Sequence, residues 1–132
     1  MRVVEFVNKL KKLSSPIDEY YILGEGAMLL YGVRYDTSNV EICVSKELFY
    51  KLLSNGIIDE TSKNKLGFYK LKSNPEVMVI PKDKQDFKCI KVGEFLIEDI
   101  REILMYKKRK RDTKSKRDVR DIEHFLYTHP TY

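Results

Sequence analysis

Leu23-Gly24-Glu25-Gly26-Ala27-Met28-Leu29-Leu30-Tyr31-Gly32-Val33-Arg34-Tyr35-Asp36-Thr37-Ser38-Asn39-Val40-Glu41-Ile42 is the stretch that decides how this chain folds. It reads as a strand end, a glycine corner, a short apolar helix and a second strand. Tyr20 to Leu23 is an apolar run of the kind found in a central strand. Gly24 and Gly26 permit backbone angles that other residues avoid. Ala27 to Tyr31 is a buried helix that Gly32 stops. Val40 to Val44 is the next strand, with Asn39, Glu41 and Cys43 on one face. The corner and the polar pair Asn39 and Glu41 are therefore expected to face one pocket.

Working outward, the first 13 residues place Val3, Phe6, Val7, Leu10 and Leu13 at helical spacing, closed by Ser14-Ser15-Pro16. After the second strand, Ser45 is a helix N-cap. Leu48, Phe49, Leu52 and Leu53 follow on one side, and Asn55-Gly56 ends the element. Strands are expected over about 66–72, 76–80 and 87–92, with short connections that favour antiparallel pairing. Helices are expected over about 94–110 and 115–127. Together this is an α/β or α+β chain, a single domain over 1–132 with a mixed sheet flanked by helices.

Composition narrows the class. A hydrophobic fraction of 42% and a charged fraction of 34% describe a soluble globular chain. No apolar run approaches the roughly 20 residues a membrane span needs, so no membrane role and a cytoplasmic location are expected. Cys43 and Cys89 sit in apolar runs and read as reduced thiols. They have no zinc spacing with His124 and His129. The net charge of +5 is concentrated. Residues 107–120 hold nine cations against Asp112 and Asp118, a charge of +7 that leaves about −2 for the rest. Lys107, Lys108, Arg109, Arg111 and Arg117 are nucleic-acid-binding candidates, with RNA or an acidic protein as the partner class. The plain alternative is a solvated helix end, where cations also suit the helix dipole.

The stretch resembles the nucleotidyltransferase superfamily, in particular its small members and the abortive-infection toxin branch. There a strand ends in Gly-Gly or Gly-Ser, a helix follows, and then a pattern like Gly-x-Arg-x-x-Thr-x-Asp-x-Asp. Gly24, Gly32, Arg34 and Thr37 match it. Asn39 and Glu41 stand where the two metal-binding aspartates would be, and Glu25 where the second Gly or Ser would be. Lys116-Arg117-Asp118-Val119-Arg120-Asp121-Ile122 resembles a late Lys-Asp-x-x-Asp-Ile run, with one extra residue after the lysine.

The resemblance implies a nucleotidyltransferase-like fold and a nucleoside triphosphate site at Gly24, Glu25, Arg34, Thr37 and Lys116. An active relative would hold Mg²⁺ through Glu41 and Asn39, with Glu76 as a third acid. The departures argue against full activity. Asn39 removes a charge from a site that prefers hard anionic oxygens. Glu41 adds a methylene, and a misplacement near 1 Å can cost on the order of 100-fold in rate. Glu25 puts a carboxylate where a helix N-terminus would receive phosphate. Three readings follow: a degenerate member that binds nucleotide or a macromolecule weakly, a live Mg²⁺-dependent toxin-like enzyme acting on RNA or protein, and a basic nucleic-acid-binding module. Arg34 and Lys116 are expected to pair with Glu25 or Glu41 if the pocket is self-filled.

Overall fold

A computed structural model describes residues 1–11, 20–82 and 88–132. Leu13, the Ser14–Pro16 stop and Phe87 lie outside the described residues. The elements run α1 (Val3–Lys11), β1 (Tyr20–Ile22), α2 (Gly24–Tyr31), β2 (Val40–Val44), α3 (Lys46–Ser54), β3 (Tyr69–Lys70), β4 (Val77–Pro81), β5 (Cys89–Val92), β6 (Phe95–Glu98), α4 (Ile100–Lys108) and α5 (Thr113–Thr128). The six strands form one mixed sheet in the order β3-β4-β2-β1-β6-β5. The chain is thus an α+β protein.

Alternation along each strand divides the sheet into two faces. Ile22, Val40, Ile42, Val44, Val79 and Ile97 join the main core, packed against Phe6, Met28, Ile100, Ile103, Ile122 and Phe125 of the helices. Tyr21, Leu23, Cys43, Phe68 and Ile80 form a smaller cluster on the opposite face. Glu41 shares strand parity with Cys43, and Glu98 with Leu96, so both carboxylates belong to that second face.

Three sequence expectations change. The stretch from Glu94 is not yet helix: Phe95 and Ile97 are buried while Leu96 and Glu98 are half-buried, the alternation of a strand. A hairpin turning at Gly93, with φ +60, joins β5 to β6. Helix α4 starts only after Asp99, whose side chain accepts the Arg101 N–H at 2.9 Å. Late strands are not all antiparallel either. β4 runs parallel to β2 and β6 parallel to β1, because α3 and the later connections carry the chain back across the sheet. The strand over 66–72 shrinks to Tyr69–Lys70, with an isolated bridge from Leu71 to Ile58. The Ser45 cap holds, accepting the Leu48 N–H at 3.1 Å.

Candidate functional site

The sheet centre places the glycine corner. β1 lies between β2 and β6, and its ladder continues one step as the Leu23 N–H donates to the Glu41 carbonyl at 2.9 Å. Gly24 then turns the chain with φ +55, a conformation glycine adopts without strain. Gly26 serves differently. A Cβ there would stand 2.5 Å from Phe6 Cζ, so it allows α2 to pack closely on α1 rather than supplying an unusual angle.

Two carboxylates flank the corner. The Gly24 N–H donates to Glu98 Oε1 at 3.0 Å. On the other side, a Cβ on Gly24 would face both Glu41 carboxylate oxygens at 3.9 Å. Burial pushes the Glu41 carboxyl above its ordinary value, and the nearby Glu25 charge adds to this, while Lys107 and Lys114 oppose it. Burial also raises Glu98. The Gly24 N–H pulls the other way, and Glu102, Glu41 and Asp99 reinforce the rise. Glu98 therefore senses the Glu41 charge across β1.

Glu25, in the first turn of α2, belongs to a second set. Burial alone would raise its carboxyl. The Lys114 ammonium bonded to it, Arg34 and the Thr37 hydroxyl outweigh burial and hold it below the usual range. Arg34 Nη1 is 3.8 Å from Glu25 Oε1 and 2.9 Å from Asp118 Oδ1. Lys107 Nζ reaches Asp118 Oδ2 at 3.1 Å, a charge contact in which Oδ2 accepts no hydrogen bond. Asp118 is almost fully buried, so this chain of charges ties α5 to α4 and to the loop after α2. Buried Thr37 has one hydroxyl proton to share between Glu25 Oε2 at 3.2 Å and the Asn39 carbonyl at 3.1 Å.

Of the residues picked from sequence, Gly24, Glu25, Arg34, Thr37 and Glu41 come together. Asn39 sits half-buried just before β2. Glu76 does not join them. Its carboxylate pairs with Lys9 of α1 at 2.5 Å and is half-exposed. The carboxylate that does lie beside the corner is Glu98 of β6, which a helical reading of 94–110 hides. Lys116 is also displaced, by Lys114. Helix α5 begins at Thr113, so Lys114 lies in its first turn beside Glu25. Lys116, two residues on, is rotated roughly 200° to the exposed side. Lys107 was grouped with outward cations, yet its side chain is only 13% exposed and faces Asp118.

The donor chemistry suits a hard divalent cation. Magnesium is commonly held by one or two carboxylates, with water or phosphate oxygens completing its octahedron. Glu41 and Glu98 supply two such carboxylates on one face, and Asn39 a neutral oxygen at most. Among the described residues no group of three or more His, Cys, Asp or Glu is disposed to hold a metal. A separate cleft of about 680 Å³ opens beyond Arg34, between the loop after α2 and α5. It includes Tyr35, Arg117 and His124 but neither Glu41 nor Glu98.

Comparison with known proteins bears on the fold. No family model matches the chain, and no curated protein matches it. Among solved structures, the crystal structure of JHP933 from Helicobacter pylori is similar, with a TM-score of 0.51 and 19% identity. The likeness covers 98% of this chain and 68% of that one. At this identity it concerns the arrangement of helices and strands. No helix among the described residues is long and apolar enough to cross a membrane.

Proposed function

We propose that this is a nucleotidyltransferase-type protein in which transfer chemistry is lost and nucleotide binding is weak. The observation that carries the reading is a pocket filled by its own groups. Glu98 already occupies the Gly24 N–H, and Lys114 and Arg34 already hold Glu25. An incoming phosphate would have to displace these carboxylates, and Glu25 would repel it.

A second reading has one observation in its favour: Glu41 and Glu98 flank the same corner. In that reading the protein transfers a nucleotide to RNA or protein. A bound Mg²⁺ would supply Lewis-acid polarisation at the phosphate. The chain's own contribution would be to hold that ion through Glu41 and Glu98 and to orient phosphates with Lys114 and Arg34.

Calorimetry with each nucleoside triphosphate, with and without Mg²⁺, separates the two. Weak binding that hardly responds to Mg²⁺ is the expected result. Tight, Mg²⁺-dependent heat, together with label transferred from a triphosphate to tRNA or lysate protein, would overturn it. Combining Asn39→Asp with Glu25→Ser should raise nucleotide affinity about tenfold or more, because it restores a metal ligand and frees the phosphate position.

A further inference from the structure

We infer that the outward face of the α4–α5 corner is a docking surface for single-stranded nucleic acid, held through its phosphates. Two cations of the basic run are already neutralised, half-buried Lys107 by Asp118 and exposed Lys114 by Glu25. The remainder are exposed. Lys108, Arg109, Lys110 and Arg111 close α4 and its loop, while Lys116, Arg117 and Arg120 follow on α5. No ion pair links any of these to an acid among the described residues. Asp112 is engaged as the α5 N-cap, accepting the Ser115 N–H at 3.0 Å.

Ordinary solvation accounts for only half of the pattern. Cations at the C-terminal end of α4 are favoured by that helix's dipole. Cations in the first two turns of α5 are not, for they add to the positive end, and the first turn carries no acid. Asp112 at the N-cap and Glu25 against Lys114 offset part of this charge, but Lys116, Arg117 and Arg120 remain as a surplus that a polyanion would relieve. The shape is continuous as well. Two shallow hollows, of about 440 Å³ and 730 Å³, meet at Lys116, which lines both. Tyr106, 45% exposed at one end with Lys110 Nζ 5.1 Å from its ring centre, offers a stacking surface for a base. A run of phosphates with unpaired bases fits this combination better than an acidic protein segment, which has no use for the ring.

The test needs neither nucleotide nor metal, so it stands or falls apart from the pocket. Labelled single-stranded RNA and DNA of roughly 15 nucleotides are titrated with the full chain in EDTA, followed by anisotropy. Contact with about four phosphates at about 0.7 ions each predicts binding about 50-fold weaker at 200 mM than at 50 mM salt. The triple variants Lys108→Ala/Arg109→Ala/Arg111→Ala and Lys116→Ala/Arg117→Ala/Arg120→Ala should each lose about tenfold or more. Lys51→Ala/Lys65→Ala, on exposed sites elsewhere, should stay within about twofold. Unchanged melting curves confirm that these surface variants fold. Tyr106→Ala should weaken both oligonucleotides about fivefold or more, the effect of losing one stacked base. No binding at low salt, an equal loss in the control, tighter binding to duplex, or equal competition by a polyglutamate peptide of matched charge would each overturn the inference.

Discussion

At Glu41 the proton is favoured from two sides, by burial and by the negative charge of Glu25. The folded carboxyl therefore holds its proton to higher pH than the unfolded one. Between those two values the native state binds more protons, so stability falls as pH rises through the window. Once ionised, the folded carboxylate carries the full burial and repulsion penalty. Glu41→Gln should then raise Tm on the alkaline side of that window, with the gain shrinking as pH falls and the native carboxyl takes up its proton. Thermal melts across pH check this, and an unchanged pH profile would contradict it. Gly26 sets two effects against each other. Alanine would improve α2 by about 1 kcal/mol in helix propensity. The new methyl would meet Phe6 at 2.5 Å and 2.8 Å, and overpacking typically costs about 1–3 kcal/mol. The clash should win, so Gly26→Ala is expected to destabilise by up to about 2 kcal/mol. In a Phe6→Leu background the loss should shrink by about 0.5 kcal/mol or more, measured by urea unfolding as a double-mutant cycle. The corner residues were readable because Gly24, Glu25, Arg34, Thr37 and Glu41 all lie within one 20-residue run. The roles of the two glycines were not, since only tertiary contact with Phe6 distinguishes them.

Between elements, the decisive joints are polar. Asp118 of α5 sits between Arg34 and Lys107, whose side chains are 14% and 13% exposed. Removing it leaves two poorly hydrated cations facing each other. Asp118→Ala should cost about 3 kcal/mol, and Asp118→Asn less, because the amide oxygen still accepts from Arg34. Urea midpoints for both variants measure this, and equal losses would point to packing rather than charge. A second joint is the Tyr31 hydroxyl, which donates to the Glu98 carbonyl at 2.9 Å and accepts the Ile100 N–H at 3.1 Å. It links α2 to the exact place where β6 becomes α4. Tyr31→Phe leaves a buried N–H unsatisfied and should destabilise by about 1–3 kcal/mol, read in the same unfolding experiment. That boundary was the least legible feature of the sequence. Ile97, Ile100, Ile103 and Leu104 satisfy a helical period, so the alternation of Phe95, Leu96, Ile97 and Glu98 is hidden within it. Missing β6 meant missing Glu98. The exchange of Lys116 for Lys114 has a different origin: Lys116 came from matching the late motif with one extra residue, and on a helix residues two apart point about 200° apart.

At the scale of the molecule, the pocket is assembled from both ends of the chain. Glu25, Arg34 and Glu41 come from the first third, and Glu98, Lys107, Lys114 and Asp118 from the last. The sheet order makes their meeting depend on one junction. β2 is paired along its full length with β4 and over three residues with β1. β1 and β6 share only the register pair Ile22 and Ile97. The unit β5–β6–α4–α5 is otherwise joined to the rest through buried apolar contacts, the Tyr31 hydroxyl, the Gly24 N–H on Glu98, the Lys114–Glu25 pair and the Asp118 charges. Native-state hydrogen exchange should therefore show two levels. Amides of β1, β2 and β4 should open only with global unfolding, while those of β6, α4 and α5 should open together at lower free energy. Asp118→Ala offers the discriminating comparison, since it weakens the junction without touching the β2–β4 ladder. It should lower protection in the C-terminal unit first and, within that unit, uniformly. If protection instead falls equally in β2 and β4, the sheet and the C-terminal unit form one cooperative block, and the pocket cannot be opened by separating its two halves.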